Sequence, residues 1–300
     1  MITYFKRAVK DELLKQLNKF SVGCLINVVN PSKEEIKFLE EEFNLDKQDI
    51  IAGLDTNETP RIDIVNGTIY LFVKDIAPNK ELETLLIVIA NNFVLTLSRV
   101  ETNVVKKIVD GKIKIYTTQK LKSLIKILSQ LNKSFEKTTL GVVREVRLRR
   151  KNIRKLSDKD VTALVEYEEI LNNFIYYYYH MLIIYNRLLK RIKFYEKDKE
   201  IIEDLVVEAN EGFNLCKSSL KTISNIRDHY MILLSNKLNR VLTVLTLVTI
   251  FISIPAAISG IYGMNILLPL QHNPFAFVYI MFLIVIIWIV FYAYFKRKIF

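Results

Sequence analysis

From Val241 to Phe295 the chain carries no Asp, Glu, Lys or Arg, although a quarter of all its residues are charged. Charged side chains are scarce in hydrocarbon, so a stretch this long restricts the chain to a membrane solution. Asn265 to Pro274 is more polar and divides it into two apolar runs. Each is about twenty residues, the length that a helix rising ~1.5 Å per residue needs to cross a bilayer core. The expectation is a helical hairpin, with a first span over 241–262, a loop over 263–274, a second span over 275–295 and a basic tail over 296–300.

Charge sets the orientation. Lys237 and Arg240 precede the first span, Lys296, Arg297 and Lys298 follow the second, and the loop has no Lys or Arg. By the positive-inside rule both termini are cytoplasmic and the loop lies outside the cell membrane. The start, MITYFKRAVKDELLKQ, has no apolar core or small-residue cleavage site of a signal peptide. The net charge of +11 raises a nucleic-acid reading. Its densest stretch, Arg144 to Lys155, has helix-like sequence without interleaved aromatics, so a solvated face is expected, turned to anionic lipid or a neighbouring acidic surface, and no nucleic-acid partner. Cys24 and Cys216 form no ligand pattern and are expected to be reduced.

Residues 1–116 read as a cytoplasmic α/β domain. KEEIKFLEEEF (33–43) has helical periodicity, and a short helix is expected at 47–54. Arg61 to Ile76 alternates around Asn66-Gly67, a hairpin signal because both turn residues need positive φ. Leu82 to Arg99 repeats the design around Asn91-Asn92, for at least four largely antiparallel strands. Residues 117–240 read as a helical stalk. No proline occurs from Asn79 to Ile254, and Gly141 and Gly212 are the only glycines between Lys112 and Pro255. Helices are expected near 119–138, 141–195 and 198–262. The last needs a packing seam, for which Leu205, Phe213, Leu215, Leu220, Ile223, Ile226 and Leu233 are candidates. Tyr176 to Tyr179 point in four directions and read as packing residues. His180 and His229 lack ligand partners at i±3 or i±4 and read as structural.

No catalytic constellation appears, so the chain is not expected to be an enzyme. Counting back from the loop in steps of three and four gives Gly263, Gly260, Ala256, Ser253, Thr249, Thr246, Leu242 and Asn239. This stripe is small or hydroxylated except for Leu242. Such residues let transmembrane helices pack closely, and they also line a polar path; both hold if identical helices ring an axis. A ring of Asn265 carboxamides would hydrogen-bond a hydrated cation without gripping it. Glu200, Asp204, Glu208 and Glu211 share one helix face. They read either as a solvated face or as a regulatory metal site between subunits. Asp228 follows as a cation-concentrating residue at the pore entrance.

Asn236-Lys237-Leu238-Asn239, Val244-Leu245-Thr246 and Ile261-Tyr262-Gly263-Met264-Asn265, within residues 236–265, together resemble the first transmembrane helix of the CorA family of magnesium transporters. Phe93-Val94-Leu95-Thr96 and Tyr294-Phe295-Lys296-Arg297-Lys298 extend it. It implies an α+β cytoplasmic domain, long stalk helices and a two-helix transmembrane hairpin in a homopentamer gated by cytosolic Mg2+. It further implies Gly263, Met264 and Asn265 as the selectivity filter, Asn239 as a polar ring, and Leu242 and Leu245 as a constriction. Asp204 falls at the regulatory site, with Asp75 as candidate partner. The outer loop lacks the carboxylate of many members, which leaves Co2+, Ni2+ and Zn2+ open beside Mg2+. The reading from another class is a non-conducting, membrane-anchored scaffold or sensor.

Overall fold

The computed structural model describes residues 1–78, 81–270 and 272–299, with backbone alone from 294. The chain forms two compact units, Met1–Arg227 and Asp228–Phe300.

The first unit is built on a seven-stranded sheet. Its strands are β1 (Ile2–Lys6), β2 (Lys15–Leu17), β3 (Cys24–Val29), β4 (Arg61–Val65), β5 (Thr68–Ile76), β6 (Leu82–Ile89) and β7 (Phe93–Ser98). They lie in the order β2-β1-β3-β7-β6-β5-β4. Among the described residues only β3 and β7 pair in parallel. The β4–β5 hairpin turns on Asn66 and Gly67, both at positive φ, as its dipeptide predicts.

Alternation sends the two sets of strand side chains to opposite faces. Tyr70, Phe72, Leu86 and Val88 pack with Leu39 and Ile50 of helices α1 (Lys33–Phe43) and α2 (Lys47–Ala52). Ser32 and Glu35 start α1 with a reciprocal capping box. Leu71, Val73, Leu85 and Ile87 face the other way, into a larger core. That core includes α3 (Asn103–Val109), α4 (Lys120–Lys151), α5 (Asp158–Arg191) and α6 (Glu196–Tyr262). The boundary expected at 116/117 falls between α3 and α4, inside this one unit, and 240/241 falls inside α6.

Two expected helix boundaries are corrected. The helices expected at 119–138 and 141–195 are instead α4 and α5, and the break lies at Asn152–Ser157 around a 3-10 turn at Ile153–Lys155. Gly141 sits exposed inside α4 with open space around it, where a glycine costs only ~1 kcal/mol. The stop is chemical: Ser157 and Asp160 cap α5 reciprocally and start a new helix.

The buried seam of α6 keeps Leu205, Ile223 and Ile226 of the expected one and differs in the rest. Ile202, Leu205, Ala209, Gly212, Cys216, Ser219, Ile223 and Ile226 are buried at steps of three and four. Phe213, Leu215, Leu220 and Leu233 are only partly covered. The middle of the seam is small because Tyr178 fills it. A Cβ at Gly212 would lie 2.4 Å from the Tyr178 ring. Of the four tyrosines, Tyr177 and Tyr178 are buried, while Tyr176 and Tyr179 are exposed. Tyr177 stacks on Phe135 at 3.5 Å, and the Tyr178 hydroxyl meets Thr139 Oγ1 at 3.3 Å. Cys24 and Cys216 are free and buried, and burial pushes the Cys216 thiol up to about 11.

The second unit holds the end of α6 and α7 (Ala276–Ile299). Both contain windows long and apolar enough to span a membrane, and these windows are almost unburied.

Candidate functional site: a bare polar stripe and its closing turn

Between Val241 and Tyr262 the half-buried positions of α6 are Thr243, Leu247, Ile250, Phe251, Ile254, Pro255 and Ile258. Phe251 meets Trp288 of α7 with ring centroids 5.7 Å apart, and Ile284 is buried. This side of α6 is therefore the one that α7 covers. The stripe Asn239, Leu242, Thr246, Thr249, Ser253, Ala256, Gly260 and Gly263 lies elsewhere on the helix, and every member is exposed. Leu245 is exposed beside it. Nothing approaches within 4 Å of the Cβ position of Gly260.

The hydroxyls on the stripe are oriented. Thr246 Oγ1 donates to the Leu242 carbonyl at 2.8 Å, and Thr249 Oγ1 to the Leu245 carbonyl at 3.0 Å. With the proton committed to its own helix, each oxygen offers the outside only lone pairs. Such a surface accepts hydrogen bonds from the water shell of a cation. It carries no formal charge that would hold the ion tightly.

The helix stops at the tripeptide. Gly263 N–H donates to Ser259 O at 2.9 Å and Met264 N–H to Ile261 O at 3.2 Å. Two of the last helical carbonyls, those of Ser259 and Ile261, are thereby satisfied, and Asn265 emerges in the turn beyond, exposed. The Tyr262 hydroxyl donates to Pro269 O at 3.4 Å, tying the helix end to the loop. On the return side Asn273 Oδ1 accepts from Phe275 N at 2.9 Å just before α7. Gln271 of the expected loop lies outside the described residues, as do the side chains of 294–300.

Of the regulatory candidates, Glu200, Asp204, Glu208 and Glu211 are all exposed on α6. Glu208 and Glu211 line a cavity of about 180 Å³ with Glu136, Asn132, Thr139 and Tyr178. Among the described residues no three His, Cys, Asp or Glu come together to hold a metal. Asp75 is not brought to this face. It is fully buried, its Oδ1 accepting from Ile76 N and its Oδ2 from Val104 N, each at 2.8 Å. Burial raises its carboxyl above the usual range, and these two amides partly oppose that. The Val104 contact caps α3, a role that no local pattern around Asp75 advertises. Asp228 opens the second unit and is exposed.

An α/β domain feeding a long helix that ends in a two-helix apolar hairpin defines a class of membrane transport protein. The family model described as CorA-like Mg2+ transporter protein matches residues 23–297. The chain belongs to the CorA family. It is 27% identical over 298 residues to the cobalt/magnesium transport protein CorA of Methanocaldococcus jannaschii, covering 91% of this chain and 90% of that one. The fold matches the complete structure of the CorA magnesium transporter from the same organism with a TM-score of 0.86 at 22% identity, over 99% and 98% of the two chains. It also matches the full-length CmaX protein with a TM-score of 0.74 at 15% identity, over 97% and 96%.

Proposed function

We propose that this CorA-family transporter is a channel that carries Mg2+ into the cell, with Co2+ as a second cargo. The observation that carries the reading is the uncovered stripe on α6, whose hydroxyl lone pairs lead to Asn265. A covered seam needs no such surface, and an inert anchor would not need one either. One hairpin cannot enclose a path, so the stripe is completed by copies of itself in a closed ring, a homopentamer in this family's pattern. Residues 241–262 and 275–295 cross the cell membrane, both termini face the cytoplasm, and the 263–274 loop lies outside.

In this reading Gly263, Met264 and Asn265 form the filter. Mg2+ dehydrates reluctantly, so the carboxamide ring holds the ion through its waters. Leu242 and Leu245 form a constriction between the Asn239 ring and the hydroxyls, and Asp228 draws cations to the inner mouth. The face Glu200, Asp204, Glu208 and Glu211 repels its counterpart on a neighbouring copy unless a divalent ion sits between them. Cytosolic Mg2+ bound there would favour the closed ring. Asp75, already committed to two amides, is left out of that site. The name of the Methanocaldococcus jannaschii relative supports Mg2+ and Co2+ as cargo.

The test is Mg2+ uptake by proteoliposomes carrying Asn265→Ala. Uptake should be lost while the variant elutes as the same oligomer as wild type. Wild-type uptake by the variant would remove Asn265 from the filter.

A further inference from the structure

We propose that the basic turn joining α4 to α5 is a docking surface for anionic lipid headgroups. The inference rests on the membrane assignment of the two apolar helices, and it is independent of whether the protein conducts.

Residues 144–159 hold eight basic and two acidic side chains, a net charge of +6. One of the eight has a structural task. Arg149 pairs with Glu145 at 2.8 Å and with Asp160 at 3.5 Å, and lies over the Tyr167 ring at 5.2 Å. It braces the turn against α5. Arg144, Arg147, Arg150, Lys151, Arg154 and Lys155 are exposed, and among the described residues none has an ion-pair partner. The dipole of α4 favours cations in its last turn, which accounts for Arg150 and Lys151. It accounts for neither Arg144 and Arg147, upstream of that turn, nor Arg154 and Lys155, beyond it. Leu148 is 45% exposed among these charges, an apolar side chain with no cover.

The position of the turn names the partner. Glu168, next to Tyr167, pairs with Arg227 of α6 at 3.3 Å. Tyr178 of α5 meets Gly212 of α6, so the two helices run antiparallel between these contacts. The basic turn therefore sits at the end of the first unit from which α6 leaves. Only thirteen residues separate Arg227 from Val241, so the first unit is tethered to the membrane surface at high effective concentration. Clustered Lys and Arg beside a span are attracted to anionic lipid over roughly a Debye length, about 8 Å at physiological ionic strength. The turn has no aromatic residue between 144 and 159 on which bases would stack, which disfavours a polynucleotide.

The experiment uses the full chain in vesicles, with an environment-sensitive dye on Leu148→Cys; Cys24 and Cys216 are buried and stay unlabelled. In phosphatidylcholine vesicles containing phosphatidylglycerol the dye should shift to shorter wavelength and be quenched by a headgroup-attached quencher. In pure phosphatidylcholine, or in high salt, both signals should disappear. Arg147→Glu with Arg154→Glu should abolish them, and Arg147→Gln with Arg154→Gln should weaken them, with helix content unchanged in both. Equal signals in neutral and anionic vesicles overturn the proposal. So does a signal that follows protein concentration, which would identify a second copy as the partner, or one driven only by added RNA. Mg2+ uptake measured in parallel separates this outcome from the channel reading, because lost conduction with intact docking indicts only the latter.

Discussion

Helix α6 carries two stripes of small residues, and they have opposite fates. Ala209, Gly212, Cys216 and Ser219 are buried in the first unit, where α5 delivers Tyr178 into the space they leave. Ser253, Ala256, Gly260 and Gly263 are bare in the second unit, on a side that α7 does not cover. Both stripes follow the same three-and-four spacing. Small residues thus specify that something approaches closely, and the surrounding chain decides what. A stripe filled by its own chain is fold; a stripe left open is surface for copies of itself, water or ions.

The largest expected effect falls on the filled stripe. In Gly212→Ala the new methyl would lie within 2.4–2.8 Å of three Tyr178 ring atoms. That ring is buried beside Tyr177 and Phe135 and cannot simply withdraw. Overpacking of this kind costs about 1–3 kcal/mol, so thermal unfolding of Gly212→Ala should move down by several degrees. Adding Tyr178→Leu should recover part of that loss relative to Tyr178→Leu alone, because the two side chains compete for one space. Gly260→Ala meets nothing in its own chain and should leave chain stability unchanged or slightly raised, by up to ~1 kcal/mol from helix propensity. If both alanines melt alike, the contrast between the stripes is wrong.

A smaller effect separates two sides of the same span. Thr246 and Thr249 lie on the bare stripe, whereas Thr243 is half-buried on the side that α7 covers. All three donate their hydroxyl proton to the carbonyl four residues back, at 2.8–3.0 Å. Valine replaces threonine at nearly constant volume, so each substitution removes only the hydroxyl. Uptake in Thr246→Val and Thr249→Val should fall several-fold, since each tenfold in rate is only about 1.4 kcal/mol. Thr243→Val should conduct like wild type. Equal uptake in all three variants would end the claim that lone pairs on this stripe serve the ion.

What was legible in the sequence tracks how local the physics is. The Asn66-Gly67 turn and the 33–43 helix are set by neighbouring residues, and both emerge as read. The bare stripe was legible too, because periodicity alone places its members on one face. Strands β1 to β3 were missed; β2 is three residues long, and neither it nor β1 is flanked by a tight-turn dipeptide like the later strands. The helix break expected between 138 and 141 does not form, because the exposed Gly141 is tolerated mid-helix. The Ser157–Asp160 capping box was hidden in a run of charge. Leu205, Ile223 and Ile226 of the α6 seam were legible as large apolar residues, but its small middle was not, because the Tyr178 that fills it comes from another helix. Asp75 looked available, although α3 is a distant segment whose amide claims it.

The smallest effect concerns pH, and it again divides the two regions. The bare stripe from Asn239 to Gly263 contains no ionisable side chain, so its chemistry should not titrate near neutrality. The covered region contains His180, half-buried, with its ring 4.4 Å from that of Tyr176 and 5.4 Å from that of Tyr179. Burial holds its imidazole below the ordinary value, partly offset by a backbone hydrogen bond at Pro60. The unfolded chain then takes up this proton at a higher pH than the folded chain. The stabilising contribution is complete above the ordinary histidine value of about 6.5, and it is lost as pH falls through the folded value. Thermal unfolding of the wild type should therefore drop slightly more between about pH 7.5 and pH 5 than that of His180→Gln, which has no proton to gain there. The difference should be small because the ring is only half-buried, and Mg2+ uptake should not share it. Identical pH dependence of unfolding in the two proteins would mean that His180 titrates as it does in the unfolded chain. A matching pH dependence of uptake in the wild type alone would mean that the covered region and the stripe are coupled.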